Sequence, residues 1–198
     1  MSNYHIKKDI FISTNEQKAL SFLAKFSDSE FHEREIARRI GISYGSANRV
    51  LNGLFSEGIL VRRRVGKMLF YSFHSADPIL KPFKICVSIA ILRPLIEKLK
   101  AYSSRIVLYG SCANGEDTSR SDMDLYIVSE EREKAMRLIN HYKFMRGFEH
   151  IKIEPIIFSS LELLKNEKSE REFLSLVREG IVLWEERTDE AGIQGVSE

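Results

Sequence analysis

The stretch from Ile106 to Val128, IVLYGSCANGEDTSRSDMDLYIV, constrains this chain more than any other. Ile106, Val107, Leu108 and Tyr109 form an apolar, partly β-branched run that ends at Gly110-Ser111. Ten residues later Asp122-Met123-Asp124 opens a second run, Leu125-Tyr126-Ile127-Val128. Both runs read as strands. A Gly-Ser pair at a strand's end lets a phosphate approach backbone N–H groups and a hydroxyl together. Asp122 and Asp124 are two apart, so on a strand both carboxylates project from one face, roughly 7 Å apart along the backbone. Converging carboxylates suit hard divalent cations, and Mg²⁺ typically takes one or two of them together with substrate phosphates. A turn-capping pair that only opens a strand is the alternative reading of the two aspartates.

Gly110-Ser111, a ten-residue spacer and Asp122-x-Asp124 in a strand together resemble the nucleotidyltransferase fold of the DNA polymerase β superfamily. The small size resembles its minimal nucleotidyltransferase branch. The resemblance implies two cations, Mg²⁺ or Mn²⁺, bridged by Asp122 and Asp124. It also implies that Gly110 and Ser111 hold the β- and γ-phosphates of ATP or another nucleoside triphosphate. A third carboxylate should come from a neighbouring strand. Glu154 is the only acidic residue inside the run Ile151 to Phe158, which reads as a third strand, so it takes that role. A surface Glu on an edge strand is the alternative, and Pro155 beside it does favour an edge. The chain departs from the family where basic residues often follow the Gly-Ser: Cys112, Ala113 and Asn114 stand there, leaving phosphate contact to Arg105, Arg120 or Lys152.

Upstream, apolar spacing predicts helices over Asn15–Phe26 (N-capped by Thr14), Phe31–Ile40 and, after a turn at Gly41, from a Ser43 cap to Ser56. A hairpin with Gly66-Lys67 at its turn follows. Helix, helix, turn, helix, hairpin resembles a winged helix-turn-helix. Its third helix would expose Ser43, Tyr44, Ser46, Asn48 and Arg49, and its hairpin Arg62, Arg63, Arg64 and Lys67, types that contact phosphates or base edges. Residues 1–80 hold twelve basic and eight acidic side chains, a net +4, and the remainder eighteen and twenty, −2. The basic excess thus sits on the part that resembles a DNA-binding module. A solvated edge strand is the other reading of the arginine run.

The expected fold class is α+β: a winged helix-turn-helix over 1–80, then an α/β nucleotidyltransferase domain with a small mixed sheet over 81–187. A polar, disordered tail over 188–198 should follow. Pro78 and Pro82 bracket the join. A helix is expected over Ile85–Tyr102, with Ile85, Ile89, Leu92, Leu95, Ile96 and Leu99 on one side, a kink or restart at Pro94, and Cys86 in the core. Further helices are expected over Glu130–Tyr142 and Leu161–Glu179, and a last strand over Ile181–Trp184. With 43% hydrophobic and 29% charged residues the chain reads as globular. Two cysteines, no apolar leader and no run of membrane-spanning length lead to the expectation of a cytoplasmic protein without membrane contact.

Two functions compete. One is an enzyme that transfers a nucleoside monophosphate, AMP in the first instance, to a hydroxyl of a protein or nucleic acid, in the manner of minimal enzymes from toxin–antitoxin pairs that modify a HEPN-domain partner. Its winged helix would bind DNA or RNA, and a homodimer is compatible with it. The other is a DNA-binding transcriptional regulator whose nucleotidyltransferase domain senses nucleotides or is inactive.

Overall fold

In the computed structural model, residues 11–162 and 171–186 are described. Helix α1 (Asn15–Lys25) opens with a capping box: Thr14 Oγ1 accepts from the Gln17 N–H at 3.2 Å, and Gln17 Oε1 accepts from the Thr14 N–H at 3.0 Å. The helix expected from Phe31 begins at Glu33 instead. Phe31–His32 form a short strand, β1, because Phe31 is buried against Tyr71 and His32 Nδ1 caps the Arg34 N–H. Helix α2 (Glu33–Ile40) ends at Gly41, whose φ of 73° closes the turn into α3 (Tyr44–Ser56). Strands β2 (Leu60–Val65) and β3 (Met68–Phe73) form the hairpin, and β1 adds to β3. Three helices over a β1-β3-β2 sheet make a winged helix-turn-helix.

Helix α4 (Leu80–Leu99) starts five residues before the expected Ile85 and runs as one helix through Pro94. Its inward face is also phased differently in the first half. Val87 and Ile91 are buried, Ile85 and Ile89 are only partly so, and Cys86 is exposed rather than in the core. The reason is that α4 packs on two partners, not one. Its first half lies on α1 and its second half, with Leu92, Leu95 and Leu99 fully buried, backs the second sheet.

That sheet has the order β6-β5-β4-β7. Strands β4 (Arg105–Tyr109) and β5 (Met123–Val128) are antiparallel, β6 (Ile153–Phe158) runs parallel to β5, and β7 (Ile181–Glu185) is antiparallel to β4. Between β4 and β5 lies a one-turn helix that the residue pattern does not announce, α5 (Ser111–Asn114). Helix α6 (Arg132–Asn140) is shorter than expected at both ends. Met123, Leu125 and Ile127 join the main core, and the opposite face carries Val107, Tyr126 and Val128 under Phe173 and Val177 of α7 (Arg171–Arg178). Residues 163–170, within the helix expected over Leu161–Glu179, and the tail expected over 188–198 lie outside the described residues.

Strand β6 is an edge strand, as Pro155 suggests. The Met123 and Ser129 N–H groups bond the Lys152 and Phe158 carbonyls. Even-numbered residues of β6 therefore turn their backbone groups toward β5, and Pro155 turns its own outward, where a missing N–H leaves no ladder bond unmade.

One core is continuous across both modules. Phe26 of α1 stacks on Phe148 beyond α6, with centroids 6.3 Å apart. Beside them lies a buried ion cluster. Lys25 Nζ stands 2.7 Å from Asp117 Oδ2, and also donates to Ser88 Oγ at 3.1 Å and Cys112 Sγ at 3.4 Å. Lys84 Nζ donates to the Asp117 carbonyl and lies 3.7 Å from Oδ1. All three charged residues are at most 4% exposed. Among the described residues no helix is long and apolar enough to cross a membrane.

Removing the Asp117 carboxylate strands two buried ammonium groups. Asp117→Ala should lower the unfolding free energy by about 3–5 kcal/mol in a urea titration. Glu116→Ala, which breaks only the exposed pair with Lys81, should leave the midpoint nearly unchanged.

Candidate active site

The bend after β4 is built around Gly110, with φ 69° and ψ −155°. A Cβ on Gly110 would lie 2.5 Å from Asp124 Oδ2, so the carboxylate occupies the space that glycine leaves free. Ser111, half-buried, opens α5 directly after it. Cys112 is buried beneath, and its Sγ donates to the Asp122 carbonyl at 3.3 Å. Burial pushes the Cys112 thiol up, against the opposing pull of Lys25.

Strand register assembles the acidic residues. Asp124 is paired laterally with Tyr109 on one side and Glu154 on the other. Side chains opposite one another share a face, so Tyr109, Asp124 and Glu154 form one row across three strands. Asp122 stands just ahead of β5. Desolvation, then the charges of Asp122 and Glu154, hold the Asp124 carboxyl above its ordinary range. Tyr109, also raised by burial and by Asp124, keeps its phenol proton and rests edge-on against Phe173 at 5.7 Å. Tyr109 is the site neighbour that residue patterns pass over, because an apolar strand end hides it. Its position just before Gly110 was the available signal.

Glu154 and Lys152 are exposed. Among the described residues no group of three or more His, Cys, Asp or Glu side chains is placed to hold a metal ion. As they stand, Asp122, Asp124 and Glu154 therefore do not form a three-carboxylate cation site. The donor set still suits a hard divalent cation: it is all oxygen, from adjacent strands, with a carboxylate under like-charge pressure. Mg²⁺ needs only one or two protein carboxylates when phosphates complete its shell. Of the basic residues considered for phosphate, Arg105 sits at the far end of β4 from Gly110 and pairs with Glu185 at 3.3 Å. Arg120 is exposed in the loop before Asp122.

On the winged helix, Ser43 caps α3, its hydroxyl bonding the Ser46 N–H at 3.1 Å and the Ser46 hydroxyl at 2.9 Å. Tyr44 donates to Glu33 at 3.1 Å. Asn48 is half-buried and Arg49 exposed. Strand alternation puts Arg62 and Arg64 on one face of β2 and Arg63 on the other. Arg62 lies 4.0 Å over Phe55 and donates to Asn52 at 2.9 Å, and Arg63 pairs with Glu30. Arg64 and Lys67 are exposed and make no ion pair among the described residues.

Residues 90–178 match a family model described as a nucleotidyltransferase domain, a span that takes in Gly110-Ser111, Asp122, Asp124 and Glu154. That part of the chain is thus similar to nucleotidyltransferase domains. No curated protein matches it significantly. Among solved structures, NolR from Sinorhizobium fredii is similar at 20% identity and a TM-score of 0.33, covering 39% of this chain and 75% of its own. Reduced HlyU from Vibrio cholerae N16961 is similar at 21% identity and a TM-score of 0.30, with the same coverage.

The raised Asp124 carboxyl has a consequence for stability. An acid whose value is higher in the fold than in the unfolded chain destabilises the fold once pH exceeds both values. Asp124→Asn should therefore raise the thermal midpoint in chelator at neutral pH. The gain should shrink as pH falls through the folded value of Asp124 toward its unfolded one, and a gain that persists unchanged in acid would contradict this origin.

Proposed function

We propose that this protein transfers a nucleoside monophosphate, AMP from ATP in the first instance, to an acceptor hydroxyl. The seating of the Asp124 carboxylate over Gly110, in one row with Glu154, carries this reading. It brings an acid-lined strand against the bend where a triphosphate would lie. Gly110 N–H and Ser111 Oγ would orient the β- and γ-phosphates. Asp122 and Asp124 would hold divalent cations, Mg²⁺ or Mn²⁺, which when bound neutralise charge on the attacking and leaving oxygens. Glu154, on the open edge of the sheet, would accept the proton of the acceptor hydroxyl. Tyr109 would keep the inner side of Asp124 dry.

The winged helix would hold nucleic acid, DNA in the first instance, through Arg49, Arg64 and Lys67, with Ser43, Tyr44, Ser46 and Asn48 along the same helix. Arg62 and Arg63 would act by fixing the wing against α3 and Glu30. The sequence resemblance to minimal nucleotidyltransferases supports a place in a toxin–antitoxin pair, with a HEPN-domain protein as one candidate acceptor.

The full chain incubated with each α-labelled triphosphate and cell lysate should label an acceptor. Labelling should stop in EDTA and return with Mg²⁺ or Mn²⁺. Asp124→Ala and Gly110→Ala should each reduce it on the order of 10²-fold or more, and label that survives Asp124→Ala rejects the proposed chemistry. Separately, Arg64→Ala/Lys67→Ala should weaken duplex binding across all sequences and lower the slope of log K against log salt by about 1.8.

A further inference from the structure

Helix α2 leaves two of its arginines without a counter-charge. Its acids are engaged elsewhere: Glu33 accepts from the Tyr44 hydroxyl at 3.1 Å, and Glu35 pairs with Arg39 at 2.8 Å. Arg34 and Arg38 are exposed and make no ion pair among the described residues. They stand one turn apart on the same face, about 6 Å along the axis, where like charges repel. Arg34 lies 5.4 Å over the ring of Tyr44, the first residue of α3. This face of α2 therefore adjoins the start of the helix that carries Arg49.

A third cation arrives from the other module. Arg146, in the chain that leaves α6, lays its side chain over Gly41, where a Cβ would fall 2.8 Å from Arg146 Cδ. Its Nη2 donates to the Arg38 carbonyl at 2.8 Å. That carbonyl lies in the last turn of α2, where carbonyls lack a partner within the helix. The cap uses one of several N–H donors on the guanidinium. Arg146 is exposed and makes no ion pair among the described residues. Gly147 packs against Phe22 and Ile40, which seats the loop on the first module. Glu149, the one acid between Asn140 and Ile153, accepts from the Gly147 N–H at 2.8 Å. A capping role accounts for the bond to Arg38 and leaves the gathering of three uncompensated cations unexplained.

We propose that Arg34, Arg38 and Arg146 form a phosphate-contacting ledge beside α3, so that duplex DNA is held by both modules at once. The proposal rests on the reading of the winged helix as a DNA contact and extends that contact to a residue of the second module. A guanidinium matches the geometry of phosphate oxygens, and Arg146 is already oriented by the bond it makes to α2. Phosphates set among the three cations relieve the repulsion that the free protein carries. B-form DNA is the duplex whose major groove admits a helix such as α3, whereas the deep, narrow groove of duplex RNA does not. Because one core joins the modules, a duplex on this ledge also stands at a fixed separation from the row of Tyr109, Asp124 and Glu154.

The test uses the full chain with a mixed-sequence DNA duplex of about three helical turns, and an RNA duplex of the same length as a second arm. With DNA, Arg146→Gln should lower the slope of log K against log salt by about 0.9, and Arg38→Gln/Arg146→Gln by about 1.8. Arg146→Lys, which keeps the charge, should keep the wild-type slope. Lys98→Gln/Lys134→Gln, the loss of two charges elsewhere, should also leave it unchanged. A residue that only braces α2 would shift affinity and thermal midpoint without moving the slope. Photoreactive azidophenacyl groups on the DNA phosphates should crosslink to residues 34–38 and 143–146. An unchanged slope in Arg146→Gln, or crosslinks confined to residues 43–67, would overturn the proposal and leave the winged-helix contact standing. A slope change seen only in the RNA arm would overturn it as well. No binding of either duplex by the wild-type chain would remove both the proposal and the reading beneath it.

Discussion

The contact between Lys25 and Asp117 holds the molecule in register. Charges taken out of water are expensive, and they persist in an interior only when partners meet them at close range. Here one carboxylate meets two ammonium groups, one from each module's helix. Ser88, Cys112 and the Asp117 carbonyl complete the shell. An apolar replacement could fill that volume, but would not specify how far α1 and α4 slide past each other. The cluster also anchors the loop between the Gly-Ser bend and Asp122. Asp28 of the first module adds a second tether, accepting from the Ser119 N–H and hydroxyl. The winged helix therefore supports the candidate active site from below as part of one body.

Above that base, the site is arranged against its own comfort. Asp124 is pressed into a half-buried place between a tyrosine and two other acids. A chain optimised for stability alone would put a neutral residue there. Strain of this local kind concentrates where chemistry is done, and the surrounding apolar strands, nearly all buried, hold it in place.

Much of this was legible in the residues. The strands at Ile106 and Leu125, the Gly66-Lys67 hairpin and the Ser43 cap follow from short-range rules of period and turn chemistry, and they stand where those rules place them. The edge position of β6 was readable from Pro155 alone. What escaped was set by distant neighbours. The face of α4 is chosen by two partners, so a single apolar stripe misassigns Ile85, Ile89 and Cys86. Phe31 becomes a strand because Tyr71 lies opposite it. Lys25, Lys84 and Asp117 look like surface residues in any local window, since nothing in their flanks records that they meet. Arg62 and Arg63 look equivalent to Arg64 until Phe55 and Asn52 engage the first and Glu30 the second.

Pro155 carries a meaning for assembly. It interrupts the outward-facing row of backbone donors on β6 next to Glu154. A second copy arriving rim to rim would find a gap where its carbonyl needs a partner, which disfavours the zipping of two sheets into one across that border. The doorway beside the acids is thereby kept clear of the protein's own kind, and a visitor that does not bond as a strand has it to itself.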